Sequence, residues 1–202
     1  MKTAESFFCS IKDKGYEIIG GVGHRDLLSC EIPHYREMIK EYIKSIIQKD
    51  MRCLVVTPIA DGADRLIVEV ALEMGIEYAV LLPMDQELYI KDFDTHSIKE
   101  FERLVDGATD VAKVGQYANN SIESISEYGI ARDFQYREAG RVLAQLSDYF
   151  IALWDGEINH LLGGTADIIK WRRDIYKRSL HIVACKRKHN VRDKELQIIA
   201  NI

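Results

Sequence analysis

No window of the chain approaches the unbroken apolar length of a membrane-spanning helix, and the opening MKTAESFFCSIKDKG lacks the apolar stretch of a secretory signal. A cytoplasmic protein with no membrane insertion is expected. The cysteines Cys9, Cys30, Cys53 and Cys185 stand far apart, without the short paired spacing of zinc sites, and the six histidines show no ligand spacing. A metal held by protein ligands alone is therefore not expected, and no cofactor is required. Cys53 and Cys185 fall in apolar runs and read as buried thiols. Positive charge is also in short supply: a formal net charge of -5 offers a polyanion no footprint, so duplex nucleic acid is not an expected partner without a local basic patch. The one dense basic run, KRKH at Lys186 to His189, reads as a solvated turn after a last strand. Repeats and low-complexity linkers are absent, and with 47% hydrophobic residues the 202-residue chain reads as one domain over 1–202.

What is present is an alternation of short β-branched runs with longer stretches of helical period, the pattern of a parallel sheet with helices on both faces. The strand runs are EIIGGV from Glu17, RCLVVTPI from Arg52, EYAVLLPM from Glu77, DVAKVG from Asp110, DYFIALWDG from Asp148 and LHIVAC from Leu180. They are nearly continuous in apolar character, as strands buried on both faces should be. Between them, Tyr35, Met38, Ile39, Tyr42, Ile43, Ile46 and Ile47 form one helical stripe. Leu66, Ile67, Val70, Ala71 and Met74 form a second, and Ile98, Phe101, Leu104, Val105 and Ala108 a third. A fourth helix is expected over Asp133 to Leu146, and a fifth after Gly163 and Gly164, with Ile168, Trp171 and Ile175 on its core face. The polar segment 115–133 has no clear period and is long for a loop; it is either a lid or a surface excursion with a short helix of its own.

In such a sheet ligands collect at the carboxyl ends of the strands, so the loops there carry the functional argument. GGVGHRD brings Gly21 and Gly23, which permit close backbone approach, with His24 and Arg25 as donors to an anion; a tight strand exit with Arg25 paired to Asp26 is the plainer alternative. In TPIADGADRL, Thr57 ends the strand and Asp61 stands where an N-cap belongs. Gly62 and Ala63 are small enough to admit a ligand, and Asp64 suits ribose hydroxyls or simply the helix dipole. In GGTAD, Gly163 and Gly164 offer main-chain N–H groups and Thr165 a hydroxyl to a phosphate, unless helix capping accounts for them. Asp155 and Gly156, at the end of the strand before, form a turn or a ribose contact. Trp154 and Trp171 read as core or edge residues.

Taken in order, GVGHRDL at Gly21, TPIADGADRLIVEVALEMG at Thr57, LPMDQELYIKDF at Leu82, YREAGRVLAQLSDYFIALWDG at Tyr136 and GGTADII at Gly163 resemble the SLOG superfamily. This is the Rossmann-like group that includes the Lonely-Guy phosphoribohydrolases, and the resemblance is to its bacterial branch linked to conflict systems. It implies a doubly wound, mostly parallel α/β sheet and a pocket for a nucleotide or ADP-ribose-like or cyclic-nucleotide signal. The three loops would contact that ligand. It also implies a homo-oligomer, for which the tail residues Leu196, Ile198, Ile199 and Ile202 would cover either the domain's own core or a partner. The catalytic glutamate of the Lonely-Guy enzymes is not matched: Asp167 stands one position early and Ile168 in its place. The leading expectation is a sensor of a nucleotide-derived small molecule. The alternative is a hydrolase of a nucleotide N-glycosidic bond, with Asp64 and Asp167 as catalytic carboxylates.

Overall fold

The computed structural model describes residues 2–118, 120–158 and 161–188. Seven strands, β1 (Lys2–Thr3), β2 (Tyr16–Gly23), β3 (Arg52–Thr57), β4 (Glu77–Leu82), β5 (Val111–Lys113), β6 (Tyr149–Trp154) and β7 (His181–Ala184), form one sheet in the order β1-β5-β4-β3-β2-β6-β7. Every neighbouring pair is parallel. The chain winds outward from β2 through β3 and β4 to β5, then crosses to β6 on the other side of β2. The winding therefore reverses at the carboxyl ends of β2 and β6, where a crevice must open.

The helices are α1 (Ala4–Asp13), α2 (Ile32–Ile46), α3 (Ala63–Glu73), α4 (Gln86–Tyr89), α5 (Thr95–Asp106), α6 (Ile122–Ser126), α7 (Ile130–Leu146) and α8 (Thr165–Lys170). Alternation along the strands divides the core in two. On one face Ile19, Val55, Val80 and Ile151 pack with Tyr35, Ile39 and Ile43 of α2, Ile67 and Val70 of α3, and Phe101 and Leu104 of α5. On the other, Ile18, Leu54, Ala79 and Phe150 meet Phe7 and Phe8 of α1, Val142 and Leu143 of α7, and Ile168 and Ile169 of α8. Each such Val, Leu, Ile or Phe side chain contributes ~1.5–3 kcal/mol by leaving water. The expected stripes on α2, α3 and α5 all pack on the sheet, and Cys53 and Cys185 are buried.

The sequence reading missed β1 and α1 and misplaced one residue. The edge strand β1 has only two residues, too few for a pattern, and α1 follows it directly with Thr3 as N-cap. Ile175, expected in the core, is 49% exposed. After α8 the chain makes a π-helical turn over Trp171–Ile175, and the wider turn rotates Ile175 off the 3.6-residue stripe. That turn places Arg172 beneath the sheet, fully buried, where it donates to the carbonyls of Ala144, Ser147, Asp148 and Ser179 at 2.7–3.0 Å. These include orphan carbonyls at the end of α7, which the guanidinium satisfies. Burial pulls its pKa down to about 10, so it stays charged at neutral pH. Segment 115–133 is a surface excursion with its own helix, α6, held by a capping box between Ser121 and Ser124 and pinned by the buried Ile125.

No helix among the described residues is long and apolar enough to cross a membrane. The tail residues Leu196, Ile198, Ile199 and Ile202 lie outside the described residues, as does His189 of the basic run.

Candidate functional site

The loops after β2, β3 and β6 surround an open cleft of about 560 Å³. Two of them are locked together before any ligand is considered. The Ala63 N–H donates to the His24 carbonyl at 3.1 Å. Gly62 has φ +76°, and a Cβ there would lie 2.4 Å from the Arg25 carbonyl oxygen and 2.6 Å from that of His24. Only glycine combines that backbone with that approach. Gly62, not Asp61, is the N-cap of α3. Asp61 instead accepts a hydrogen bond from the Ser97 hydroxyl and pairs with Arg65 at 2.9 Å, which directs it toward α5. Thr57 is fully buried and its hydroxyl oxygen accepts the Ile59 N–H at 3.1 Å, so it shapes the loop from behind. Gly21 lies inside the sheet against Ile67 and Thr57.

Asp64 is on the cleft wall yet only 3% exposed, and it accepts the Ala60 N–H at 3.1 Å. Burial pushes its carboxyl up to about 7, against the opposing pull of that amide and of Arg25 and Arg65. His24, 7% exposed, has Nε2 3.0 Å from Asp155 Oδ1. Burial lowers its pKa despite that carboxylate, which favours the neutral imidazole. Asp155 also lies 3.5 Å from Arg187 and accepts the Glu157 N–H at 3.0 Å across a turn in which Gly156 takes φ +85°. It thus supports the cleft rather than lining it. The plainer alternative of an Arg25–Asp26 pair is not what the loop adopts: Asp26 pairs with Arg187 at 2.7 Å, and Arg25 keeps a loose 3.7 Å contact with Asp92.

The third loop corrects a second expectation. The Gly163 N–H donates to Asp167 Oδ2 at 3.0 Å, and the Gly164 N–H to the Leu161 carbonyl at 3.1 Å. Both amides expected to meet a phosphate are already engaged. Gly163 takes φ +71° with its Cβ position 2.7 Å from the Arg137 nitrogen, so the loop presses on α7 and only glycine fits. Asp167 is further held 3.1 Å from Arg137 Nε, beside the cleft rather than in it. The N-cap of α8 is Gly164, and Thr165 lines the cleft as the first helical residue. Trp154 is tied to its own loop, its indole N–H donating to the Glu157 carbonyl at 3.1 Å.

Gly23, His24, Arg25 and Asp64 therefore line the cleft, with Gly163, Gly164 and Thr165 opposite. The sequence reading missed a whole bank. Arg132, 1% exposed, donates to Asp92 Oδ1 at 2.7 Å, to Tyr136 Oη at 2.6 Å, and to the carbonyls of Ile125 and Leu88 at 2.6 and 2.8 Å. Tyr136 Oη donates in turn to Asp92 Oδ2 at 2.7 Å; burial and that carboxylate both push its pKa up, keeping it a donor. Tyr89 and Tyr136 supply the aromatic wall, and the Arg25 guanidinium carbon stands 5.9 Å from the ring centroids of Phe93 and Tyr136. Arg187, read as part of a solvated turn, points inward and lines the cleft.

No family model matches the chain, and no curated protein matches it. Solved structures do. Over 92% of its length the chain resembles DNA processing protein A from Streptococcus pneumoniae, with a TM-score of 0.55 and 14% identity. Over 84% it resembles DNA processing protein A from Helicobacter pylori, a protein with a single-stranded DNA binding mode, with a TM-score of 0.52 and 16% identity. The chain spans 56% and 66% of these proteins' own lengths. The likeness is one of fold alone: it agrees with the Rossmann-like α/β architecture and does not reach the conflict-system branch. It also corrects the expected partner. A protein of this fold takes single-stranded DNA, so the fold gives no ground for restricting the partner to a nucleotide-derived small molecule.

Proposed function

We propose that the chain binds single-stranded nucleic acid, seating one nucleotide unit in the cleft. The observation that carries this reading is Arg25. Its side chain is 43% exposed and its ion-pair contact is loose, whereas Arg132, Arg65 and Arg187 are held by carboxylates at 2.7–2.9 Å. A phosphate entering the cleft meets this guanidinium first. Asp64 suits that arrangement, because a carboxyl raised to about 7 is in good part neutral at physiological pH and repels a phosphate less. A volume of about 560 Å³ lies within the ~300–1,000 Å³ typical of small-ligand clefts and suits one nucleotide unit of a strand. The fold likeness to a protein with a single-stranded DNA binding mode supports the same reading.

With one or two phosphates neutralised and no net positive charge elsewhere, the salt dependence is shallow, a slope of roughly -0.7 to -1.4 in log K against log salt. The test is fluorescence anisotropy of a labelled oligodeoxynucleotide, with unlabelled single strand, blunt duplex and mononucleotide as competitors. Arg25→Ala and Gly164→Trp are the variants; Gly164 has φ -73°, which a tryptophan adopts without strain. Single strand should compete best, and both variants should lose at least ~10-fold in affinity, the worth of one charge-assisted contact, with unchanged circular dichroism. Equal competition by duplex or mononucleotide, or unaltered binding by both variants, overturns the reading.

A further inference from the structure

We infer that Tyr128 is the stacking platform for the base of the bound nucleotide, an inference that rests on the function just proposed. Tyr128 is 74% exposed, an unusual state for a large aromatic ring, and it borders the cleft. It is not loose. Its hydroxyl donates to the Lys91 carbonyl at 2.9 Å, and the Arg132 guanidinium carbon lies 5.3 Å from its ring centroid. Arg132 is the buried residue that also anchors Asp92, so the ring is held by the same group that builds the Asp92–Tyr136 bank of the cleft. A tethered, backed and solvent-open ring has already met the ordering cost of a stacking contact.

Across the cleft the loop before α8 brings Leu161, 64% exposed and also lining the cavity. The mouth thus has an aromatic on one bank and an aliphatic on the other, while Arg25 lies within the cleft. That order, an apolar rim with the Arg25 guanidinium inside it, fits a nucleotide entering phosphate first with its flat base left at the rim. Stacking uses the π-face common to all bases, so affinity should tolerate base identity.

The experiment compares two strands of equal length and charge on the intact chain, one of deoxyadenylate and one built wholly of abasic sites. The wild type should bind the abasic strand about 5- to 150-fold more weakly, and Tyr128→Ala should lose the same factor on the deoxyadenylate strand. On the abasic strand Tyr128→Ala should match the wild type, since the base and ring form one interaction and their losses do not add. Tyr128→Trp should retain binding, and Tyr128→Phe should retain most of it. The exposed position and single backbone hydrogen bond make Tyr128→Ala safe for the fold. Equal losses by Tyr128→Ala on both strands, no loss on either, or a wild-type dimer that dissociates in Tyr128→Ala overturns the inference while the proposed function stands. Failure of the wild type to bind the deoxyadenylate strand removes the proposed function, and this inference with it.

Discussion

Replacing Asp64 with asparagine isolates a single titration inside the cleft wall. The folded chain holds this carboxyl at about 7 against an ordinary value of 3.8, the first cause being burial. Between those two pH values the folded state keeps a proton that the unfolded state has released, so the group's contribution is complete below about pH 4 and is lost as pH rises through 7. The displacement corresponds to ~4 kcal/mol of stability, or roughly 10 °C in melting temperature for a chain of this size. Asparagine keeps the shape and an oxygen to accept the Ala60 N–H, and it does not titrate. Melting curves of wild type and Asp64→Asn from pH 4 to 8.5 should show the variant gaining on the wild type by about 10 °C across the range. All other titrations are common to both chains and cancel. A constant gap, or a wild type that gains on the variant as pH rises, would refute the argument that this carboxyl is desolvated and ionises at a cost.

Arg172→Met should lower stability by ~3–5 kcal/mol, because two buried and two part-buried carbonyls lose their donor at once; urea unfolding should show a lower midpoint with the slope kept. Gly62→Ala and Gly75→Ala separate strain from collision: both glycines have φ above +70°, but a Cβ at Gly75 meets nothing within 4 Å, whereas at Gly62 it meets two carbonyl oxygens. Gly75→Ala should therefore cost only ~1 kcal/mol and Gly62→Ala at least ~3, read from the same unfolding curves. Thiol labelling with a disulfide reagent at pH 8 should count two fast groups, the exposed Cys9 and Cys30. Cys53 and Cys185 should react only on unfolding, since burial raises both and pushes Cys185 up to about 12. Four fast thiols would show that the core is open.

Much of the architecture is legible in the sequence because strands buried on both faces write continuous apolar runs and helices covering them write stripes. All six expected strand runs contain a strand, and the reversal of winding after the fourth run from β2 is where the glycine loops gather. β1 was illegible because two residues carry no period. The site divides along the same line. Its glycines announce themselves by local backbone demands, as at Gly62 and Gly163. Asp92 with Arg132, and Asp26 with Arg187, are pairs formed 40 and 161 residues apart, and no local pattern encodes such a partnership. One signal was available: α7 buries Arg132 and Gln135 where an ordinary sheet-covering helix would place Leu or Ile. A helix whose inward face is polar marks a wall of chemistry rather than of core.

The carboxylates of Asp64 and Asp167 each turn back to an amide four residues earlier, Ala60 in one loop and Gly163 in the other. Both loops are in this way closed rings of covalent chain and one hydrogen bond, stiffened while the chain folds rather than when a ligand arrives. Recognition by such a socket resembles a key entering a cut lock: little loop ordering opposes association, and the bound and empty loops should have nearly the same shape. The same stiffness limits evolution of the site. A new ligand would be accommodated more readily by exchanging the side chains at the rim than by reshaping the loops, because each loop change would also unmake a fastening on which the sheet depends.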